Sequence, residues 1–409
     1  MNSLISILPA LIVFGVLIIV HEFGHFIACR LSKVRVEKFS IGFGPELIHW
    51  QSGETRFSIS AFPLGGFVSP AGEEASKVGP EGPKPGDFLA APVLSRIFIV
   101  MSGVAMNYVL AFVVFWAVFM MGRPMPGTVV GGFVKGYPAE ASLLKVNDKI
   151  LKVDDKAVAN WKDILEQFDE APGTMIKLNV ERPRANARPE LLIVQIRPKI
   201  ENVKDLFGKT MRMKRVGITP DPNTYVSERY APLPALAKAW DLEVFHTVLT
   251  HKAIFYLITG QLSPKNLMGP LGIIQVSGQA AKAGIATLLQ LLAILSVSLA
   301  VINLLPLPAL DGGHLVFLLI ELVTRKRISP VWQERITTGG FFLLMALMVF
   351  VLYNDVVNLS ILDKLKKFFL LIWQERIKVG SLLLITFVLY FSFINPSIFG
   401  KLKKLFRLK

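Results

Sequence analysis

The chain of 409 residues has little cysteine and little charge. Its single cysteine, Cys29, excludes any disulfide within the chain and therefore a small disulfide-stapled scaffold. Charged residues make up 18% of the sequence, whereas ordinary soluble domains contain about 25%. This composition argues against a protein that is soluble throughout. An intrinsically disordered chain is excluded as well, because such chains are rich in charge and poor in apolar residues.

Long apolar runs take the place of the missing charge. Hydrophobic residues make up 52% of the chain and the mean hydropathy is +0.51. A membrane-spanning helix needs about 20 mostly apolar residues. The runs predict an α-helical polytopic membrane protein with four core transmembrane helices and a shorter fifth in the tail. They are Leu4–Val20, Ile97–Met121, Ile285–Leu305, Gly339–Tyr353 and Val379–Ile394.

Basic residues beside these runs indicate an orientation. The formal net charge is +15, and in so apolar a chain positive charge is typical of membrane flanks rather than of nucleic-acid contacts. We therefore expect a lipid bilayer and no nucleic acid as a partner. Arg30 and Lys33 follow the first run and nothing basic precedes it, while Arg325 and Arg327 follow the third run. Residues 30–93 are thus expected in the cytoplasm and residues 125–280 on the outer side.

The outer stretch begins with a pattern typical of a small α+β domain. Short strands are expected at 127–135, 149–153, 177–180 and 191–196, and a helix at 161–168 has its apolar residues on one face. A stretch at about 231–262 has the pattern of an amphipathic helix, which we expect on the membrane surface.

A metal-binding motif lies at the inner end of the first run. His21-Glu-Phe-Gly-His25 has the pattern H-E-x-x-H, which places two imidazoles on one face of a helix, where both can bind one zinc ion. Glu22 lies beside the first ligand, where it can accept a proton from a water activated by the metal. Two histidines and a glutamate in an apolar helix are costly unless they bind something.

A catalytic zinc needs a third protein ligand and one open position. The best candidate is Asp311, in the segment Asn303-Leu-Leu-Pro-Leu-Pro-Ala-Leu-Asp-Gly-Gly-His314 that closes the third run on the same side. Prolines and glycines there predict a broken helix, which is tolerated where the backbone lines a cavity. Asp311 could instead cap the next helix, and His314 and, more weakly, Glu321 are rival ligands.

The pattern H-E-x-x-H is typical of metalloproteases, and its place in a membrane span favours a protease whose substrate is itself a membrane helix. Such a helix would have to unwind before cleavage, because its peptide bonds are shielded by their own hydrogen bonds. An extended peptide is best held by addition to a sheet edge. Residues 36–68 predict such a sheet directly after the motif, with turns at Gly44-Pro45 and Ser52-Gly53. Phe57 and Ile59 on this sheet, together with Asn303, are the candidate substrate-binding residues, although a hairpin that packs on the membrane and a helix-packing role for Asn303 remain alternatives.

These motifs resemble the site-2 protease family of intramembrane zinc proteases, and in particular its bacterial RseP type. The resemblance rests on His21–His25, on the Asn303–Gly313 segment, on Gly103-Val-Ala-Met-Asn107 and on Met268-Gly-Pro-Leu-Gly272. It implies that His21, His25 and Asp311 bind zinc and that Glu22 is the general base. It also implies a PDZ domain at about 127–200. Val104 departs from the proline usual at that position, and this chain has room for one PDZ domain rather than two.

The tail lies outside the family pattern because it contains a duplication. Trp332-Gln-Glu-Arg-Ile336 recurs as Trp373-Gln-Glu-Arg-Ile377. The resulting division of the chain is 1–35 (first span with the motif), 36–93 (cytoplasmic β-hairpin region and loop), 94–122 (second span), 123–203 (PDZ-like domain), 204–283 (linker and amphipathic stretch), 284–324 (third span with Leu-Asp-Gly), 325–358 (fourth span) and 359–409 (duplicated tail with a fifth span).

Two functions follow from the sequence. The first is an intramembrane zinc endopeptidase of a bacterial inner membrane, with its active site near the cytoplasm and its PDZ domain outside. By resemblance, its substrates would be single-pass proteins such as membrane-bound anti-sigma factors and remnant signal peptides, already shortened by an upstream protease of the site-1 type. The alternative is a non-catalytic membrane adaptor whose PDZ domain binds exported protein tails.

Overall fold

The computed structural model describes residues 2–73, 82–171, 174–184, 188–204 and 210–358. Its helices, in chain order, are α1 (Asn2–Leu31), α2 (Val93–Met121), α3 (Trp161–Glu170), α4 (Pro232–Ile258), α5 (Pro270–Ala283), α6 (Ile285–Asn303), α7 (Asp311–Thr324) and α8 (Pro330–Asn358). Its strands are β1 (Val36–Ser52), β2 (Thr55–Pro70), β3 (Arg123–Pro126), β4 (Val130–Phe133), β5 (Lys149–Val153), β6 (Lys156–Ala157), β7 (Ile176–Arg182), β8 (Glu190–Ile196), β9 (Lys199–Lys204), β10 (Thr210–Arg215), β11 (Ile218–Pro220) and β12 (Tyr225–Glu228).

Four of the described helices are long and apolar enough to cross a membrane. They are α1 from Ile7 onward, α2, α6, and α8 from Val331 onward. Each overlaps one of the first four predicted apolar runs, so the chain is a multi-pass membrane protein with four candidate spans in its described part. The predicted fifth run, Val379–Ile394, and the duplicated tail lie outside the described residues.

The chain divides into two compact units. In its described part, the first comprises residues 2–111, 265–283 and 294–358, and the second comprises residues 112–264 and 284–293. In the first unit, α5 packs along α1 and against α8.

The predicted break after α6 is present and positions the acidic residue of the Leu-Asp-Gly motif. The chain leaves α6 at Asn303 and resumes as α7 at Asp311, with Pro306 and Pro308, which lack an N–H donor, between the two helices. Backbone carbonyls of this connection lie so close to Gly312 and Gly313 that a Cβ atom at either position would overlap them. Two glycines therefore let the connection fold against the first turn of α7.

Strands β1 and β2 form a bent, two-stranded sheet directly after α1. The first part of β1, Lys38–Ile41, lies between two parts of β2, with Arg56–Ile59 on one side and Gly66–Ser69 on the other. The second part of β1, Glu46–Ser52, pairs with Thr55–Ser60 on the side away from Lys38–Ile41. The predicted turn at Ser52-Gly53 is confirmed. The chain also reverses direction between Ile41 and Glu46, because Lys38–Ile41 runs parallel to Arg56–Ile59 whereas Glu46–Ser52 runs antiparallel to it, and this confirms the predicted turn at Gly44-Pro45.

This pairing leaves no free sheet edge at Phe57 and Ile59, two of the candidate substrate-binding residues. Phe57 faces Phe39 on one side and Trp50 on the other. Ile59 likewise faces Ile41 and Ile48. Both residues are therefore inside the sheet, where no further strand can be added. The alternation of the sequence predicted the strands, but it could not show that β1 folds back to cover both sides of this segment.

A buried carboxylate fixes the turn that leads from this sheet to α2. Asp87, which is 8% exposed, accepts a hydrogen bond from the backbone N–H of Lys84 at 2.8 Å and one from Arg35 Nη2 at 2.6 Å. The Lys84 N–H, followed by the Arg35 guanidinium, lowers the pKa of Asp87 below its usual range.

The second unit contains the inserted β domain. A four-stranded sheet in the order β6-β5-β7-β8 packs with α3 around an apolar core. Helix α3 begins at a capping box, in which the Asn160 side chain accepts from the Asp163 N–H and the Asp163 carboxylate accepts from the Asn160 N–H. The strands predicted at 149–153, 177–180 and 191–196 and the helix at 161–168 are thus confirmed.

The inserted domain continues past the predicted boundary at residue 203. Strand β11 pairs with β4, and β12 pairs with β3, while Val216 belongs to the buried core of the domain. Ile218–Pro220 and Tyr225–Glu228, expected to be part of a linker, are therefore strands of this domain. The two strands are only three and four residues long, too short for an alternating pattern to reveal them.

Helix α4 confirms the helical stretch expected at 231–262. Its buried side is lined by the small residues Ala235 and Ala239, whereas Leu233, Trp240 and Ile258 are well exposed. An exposed apolar helix face of this kind is typical of contact with a membrane.

Candidate metal centre

Two histidines of α1 and the first residue of α7 converge in the first unit. His21 Nε2 and His25 Nε2 lie 3.2 Å apart. Asp311 Oδ2 lies 3.1 Å from His21 Nε2 and 3.5 Å from His25 Nε2. In the described part of the chain, these three residues form the one group of histidine, cysteine and acidic side chains whose ligand atoms come this close. The pairing of the motif histidines with Asp311 therefore agrees with the predicted ligand set.

The spacing and chemistry of these atoms fit a zinc ion. Ligands at about 2.0–2.1 Å in a tetrahedron are separated from one another by roughly 3.3 Å, close to the three distances between these atoms. Asp311 Oδ2 is buried and has no hydrogen-bond partner. A carboxylate oxygen in that position is costly unless a cation neutralises it. Three protein ligands would leave a fourth position open, as in catalytic zinc sites.

Glu22 lies beside the three candidate ligands. Its carboxylate lines the same cavity of about 170 Å³ as His21, His25, Asp311 and His314. Glu22 Oε2 accepts a hydrogen bond of 3.0 Å from the backbone N–H of Val68 in β2. The segment Gly66–Ser69 of β2 therefore holds the Glu22 carboxylate in the cavity.

The other predicted candidates lie at different distances from this centre. Asn303 is close, with Nδ2 3.3 Å from His21 Nε2. His314 lines the cavity but is not a member of the three-residue cluster. Glu321 is engaged elsewhere, because both of its carboxylate oxygens accept from Arg96, at 2.7 and 3.0 Å.

The two candidate substrate-binding residues of the sheet are not part of the cavity lining. Phe57 packs its ring against Phe26, Phe39 and Trp50. Ile59, which is 37% exposed, lies two residues further along the same inner segment of the sheet. The structure therefore brings Asn303, but neither sheet residue, to the candidate metal centre.

Helix α2 supplies neighbours that sequence reasoning did not assign to the site. Gly103 lies against both imidazoles, and a Cβ atom there would overlap the His25 ring. His25 Nδ1 donates to the backbone carbonyl of Ile99 at 2.9 Å. The amide of Asn107 lies 3.1 Å from His21 Nδ1. The signal was present in Gly103-Val-Ala-Met-Asn107, whose spacing of four places glycine and asparagine on one helix face.

Two histidines and a glutamate on a spanning helix, which share one small cavity with an aspartate at the start of α7, define a membrane-embedded protein of the metal-dependent hydrolase class. A family model described as "Peptidase family M50" matches residues 9–347. The chain therefore belongs to peptidase family M50, the family of the site-2 proteases, and the predicted resemblance to that family is confirmed.

Several curated relatives match over most of their own length. A protein of Fusobacterium nucleatum is 34% identical over 357 residues, which cover 86% of this chain and 98% of the relative. A protein of Clostridium acetobutylicum is 34% identical over 360 residues, covering 87% and 98%. One of Agrobacterium fabrum is 34% identical over 367 residues, covering 86% and 96%. All three are assigned by name to the zinc metalloproteases, and this chain is accordingly a membrane zinc metalloprotease with zinc as its cofactor.

Proposed function

We propose that the protein is an intramembrane endopeptidase that cleaves single-pass transmembrane helices near the cytoplasmic face of a bacterial inner membrane. The observation that carries the proposal is the convergence of His21, His25 and Asp311 beside Glu22 within apolar helices. Hydrolysis at such a place requires a substrate that is itself in the membrane.

The chemistry assigns a role to each residue of the cavity. His21, His25 and Asp311 would hold zinc, which when bound polarises a scissile carbonyl and makes a water molecule more acidic. The Glu22 carboxylate takes the proton from the attacking water and delivers it to the leaving amine. The Val68 N–H supports this role because it orients one carboxylate oxygen and leaves the other available.

The segment Gly66–Ser69 of β2 is the sheet edge along which we place an extended substrate. Residues Gly66–Ser69 pair with β1 on one side, and Val68 faces Glu22 on the other. A substrate strand added there would run beside the general base. Asn303, close to His21, is placed to hydrogen-bond the substrate backbone. This assignment moves the strand-addition role from Phe57 and Ile59 to Gly66–Ser69, which pairs with another strand on one side only.

The inserted β domain is proposed to be a single PDZ-like domain on the outer side, where the distribution of basic residues places it. There it would restrict access to substrates whose outer part has already been shortened by an upstream protease of the site-1 type. Membrane-bound anti-sigma factors that have been shortened in this way, and remnant signal peptides, have the required form. Each is a single spanning helix with few residues on the outer side of the membrane.

Replacing the general base tests the proposed activity. The variant Glu22→Gln should retain zinc and lose cleavage of tagged single-pass proteins, with both measured on one purified preparation. Glu37→Gln is the matched control, because Glu37 is an exposed glutamate in the adjacent strand, and it should leave both properties unchanged. Substantial cleavage by the Glu22 variant would contradict its role. If wild type also cuts nothing while binding exported protein tails, the adaptor function is the better account.

A structure-guided excision tests the access role of the inserted domain. Pro126 and Tyr225 are paired opposite each other in β3 and β12, and Gly127 N donates to Thr224 O at 2.8 Å. Residues 127–224 can therefore be replaced by an Asn-Gly turn that closes the remaining hairpin. The shortened protein should cleave substrates with large outer domains that wild type rejects. A shortened protein that keeps zinc but cuts nothing would contradict the access role.

A further inference from the structure

Asn107 of α2 is fully buried. Only one end of its side-chain carboxamide has a hydrogen-bond partner. One end of its carboxamide lies 3.1 Å from His21 Nδ1. The other end, placed as Oδ1, is buried and has no hydrogen-bond partner. The backbone is secured separately, because Ser296 Oγ of α6 donates to the Asn107 carbonyl at 2.7 Å.

The protonation of His21 decides which amide atom should face it. His21 and His25 present their Nε2 atoms to each other and to Asp311. A neutral imidazole that uses Nε2 as a ligand carries its proton on Nδ1, and that N–H needs an acceptor. His25 has such an acceptor in the carbonyl of Ile99.

His21 has Asn107 in the equivalent position. Among the described residues, no other side chain is hydrogen-bonded to His21 Nδ1. A carboxamide can present either its oxygen or its nitrogen after half a turn of its terminal bond, so the partner selects the atom. A proton on Nδ1 selects the oxygen. The amide oxygen that would otherwise be buried without a partner then accepts the His21 N–H.

We propose that Asn107 is a positioning residue for the metal site, whose Oδ1 accepts from His21 Nδ1 and thereby fixes the tautomer and ring orientation in which Nε2 is free to bind zinc. The inference rests on the proposed zinc site and extends it to α2. Outer hydrogen-bond acceptors of this kind typically contribute roughly 10–100-fold to metal affinity.

The test measures zinc affinity in the purified full-length protein by competition with a chelator. Asn107→Leu keeps the side-chain size but removes the acceptor, and it should weaken zinc binding roughly 10–100-fold. Asn107→Asp keeps an oxygen acceptor and should bind zinc at least as tightly as wild type. Ser296→Ala removes a hydrogen bond to the same residue without touching the amide, and its zinc affinity should be unchanged. If the leucine variant fails to accumulate, Asn107→Ala is the second acceptor-free variant.

The pattern across the variants decides the question. Wild-type affinity in the acceptor-free variant would overturn the inference, and so would equal losses in the leucine and aspartate variants, because both results would indicate packing alone. A loss in Ser296→Ala as large as that in Asn107→Leu would have the same meaning. Because the readout is affinity, a wild type that binds zinc but cleaves nothing would contradict the proposed function without contradicting this inference.

Discussion

The end of α8 fastens the start of α5 through one buried carboxylate. Asp355, which is 3% exposed, accepts hydrogen bonds from the backbone N–H groups of Gly269, Leu271 and Gly272 at 2.9, 2.9 and 3.0 Å. It therefore caps α5 from another helix and complements the positive end of its dipole. Because α5 packs along α1, which carries the metal-binding histidines, loosening this cap should be felt at the metal site.

The expected cost follows from the three donors that would be left buried. A hydrogen bond to a charged group contributes about 1.5–3 kcal/mol, and the three bonds share one carboxylate, so their contributions do not simply add. We expect Asp355→Ala to destabilise the α5 attachment by about 3 kcal/mol. Asp355→Asn should cost about half as much, because the amide oxygen can replace Oδ2, which accepts two of the three bonds.

Hydrogen exchange at the α5 amides measures this attachment directly. A loss of about 3 kcal/mol corresponds to roughly 150-fold more frequent opening. The control Tyr353→Phe changes an exposed residue two positions away on α8 and should leave exchange unchanged. Unaltered protection of α5 in Asp355→Ala would refute the capping argument. A chain that ends after Leu362 keeps the cap and should retain zinc binding and cleavage.

Three further predictions concern the first unit. Asp311→Ala should lower zinc content and cleavage together, and full zinc retention would contradict its role as a ligand. Arg96→Met should destabilise the protein by about 3 kcal/mol in thermal unfolding, because the buried Glu321 carboxylate loses both hydrogen bonds from Arg96 and keeps only Arg327 as a partner, and adding Glu321→Leu should recover most of the loss. The lowered pKa of Asp87 means that its stabilisation is present above pH ~4 and is lost as pH falls further, so Asp87→Asn should flatten the acid limb of a stability–pH curve.

The helices and the motif were predictable because their signals are local. An apolar run of about 20 residues has few alternatives to a spanning helix, and four such runs appear as helices in the described chain. The position of His21 and His25 on one face follows from helical geometry alone. The break before Asp311 follows from two prolines and two glycines, which a continuous helix disfavours.

The remaining features depend on residues that are far apart in the chain. Strand β12 pairs with β3 across about a hundred residues, and no pattern within either strand indicates its partner. The sequence predicted the reversal of β1 at Gly44-Pro45, but it did not show that the two parts of β1 pair with opposite sides of Phe57. Asn107 and His21 are 86 positions apart, so their contact could not be read from either helix alone.

The polar groups inside the first unit support one common account of the site. Apart from the candidate metal centre, its buried charges are satisfied within the protein: Arg96 pairs with Glu321, and Asp355 accepts from backbone amides. In the described part of this unit, the buried side-chain atoms without a partner are Asn107 Oδ1, Asp311 Oδ2 and the rotatable hydroxyl of Ser277. The first two lie in side chains that both contact His21. A zinc ion would neutralise Asp311, and the His21 tautomer that binds zinc would supply a donor to the Asn107 amide oxygen. One ligand therefore accounts for both oxygens, whose burial without a partner would otherwise cost free energy, and this favours a site that holds a metal ion.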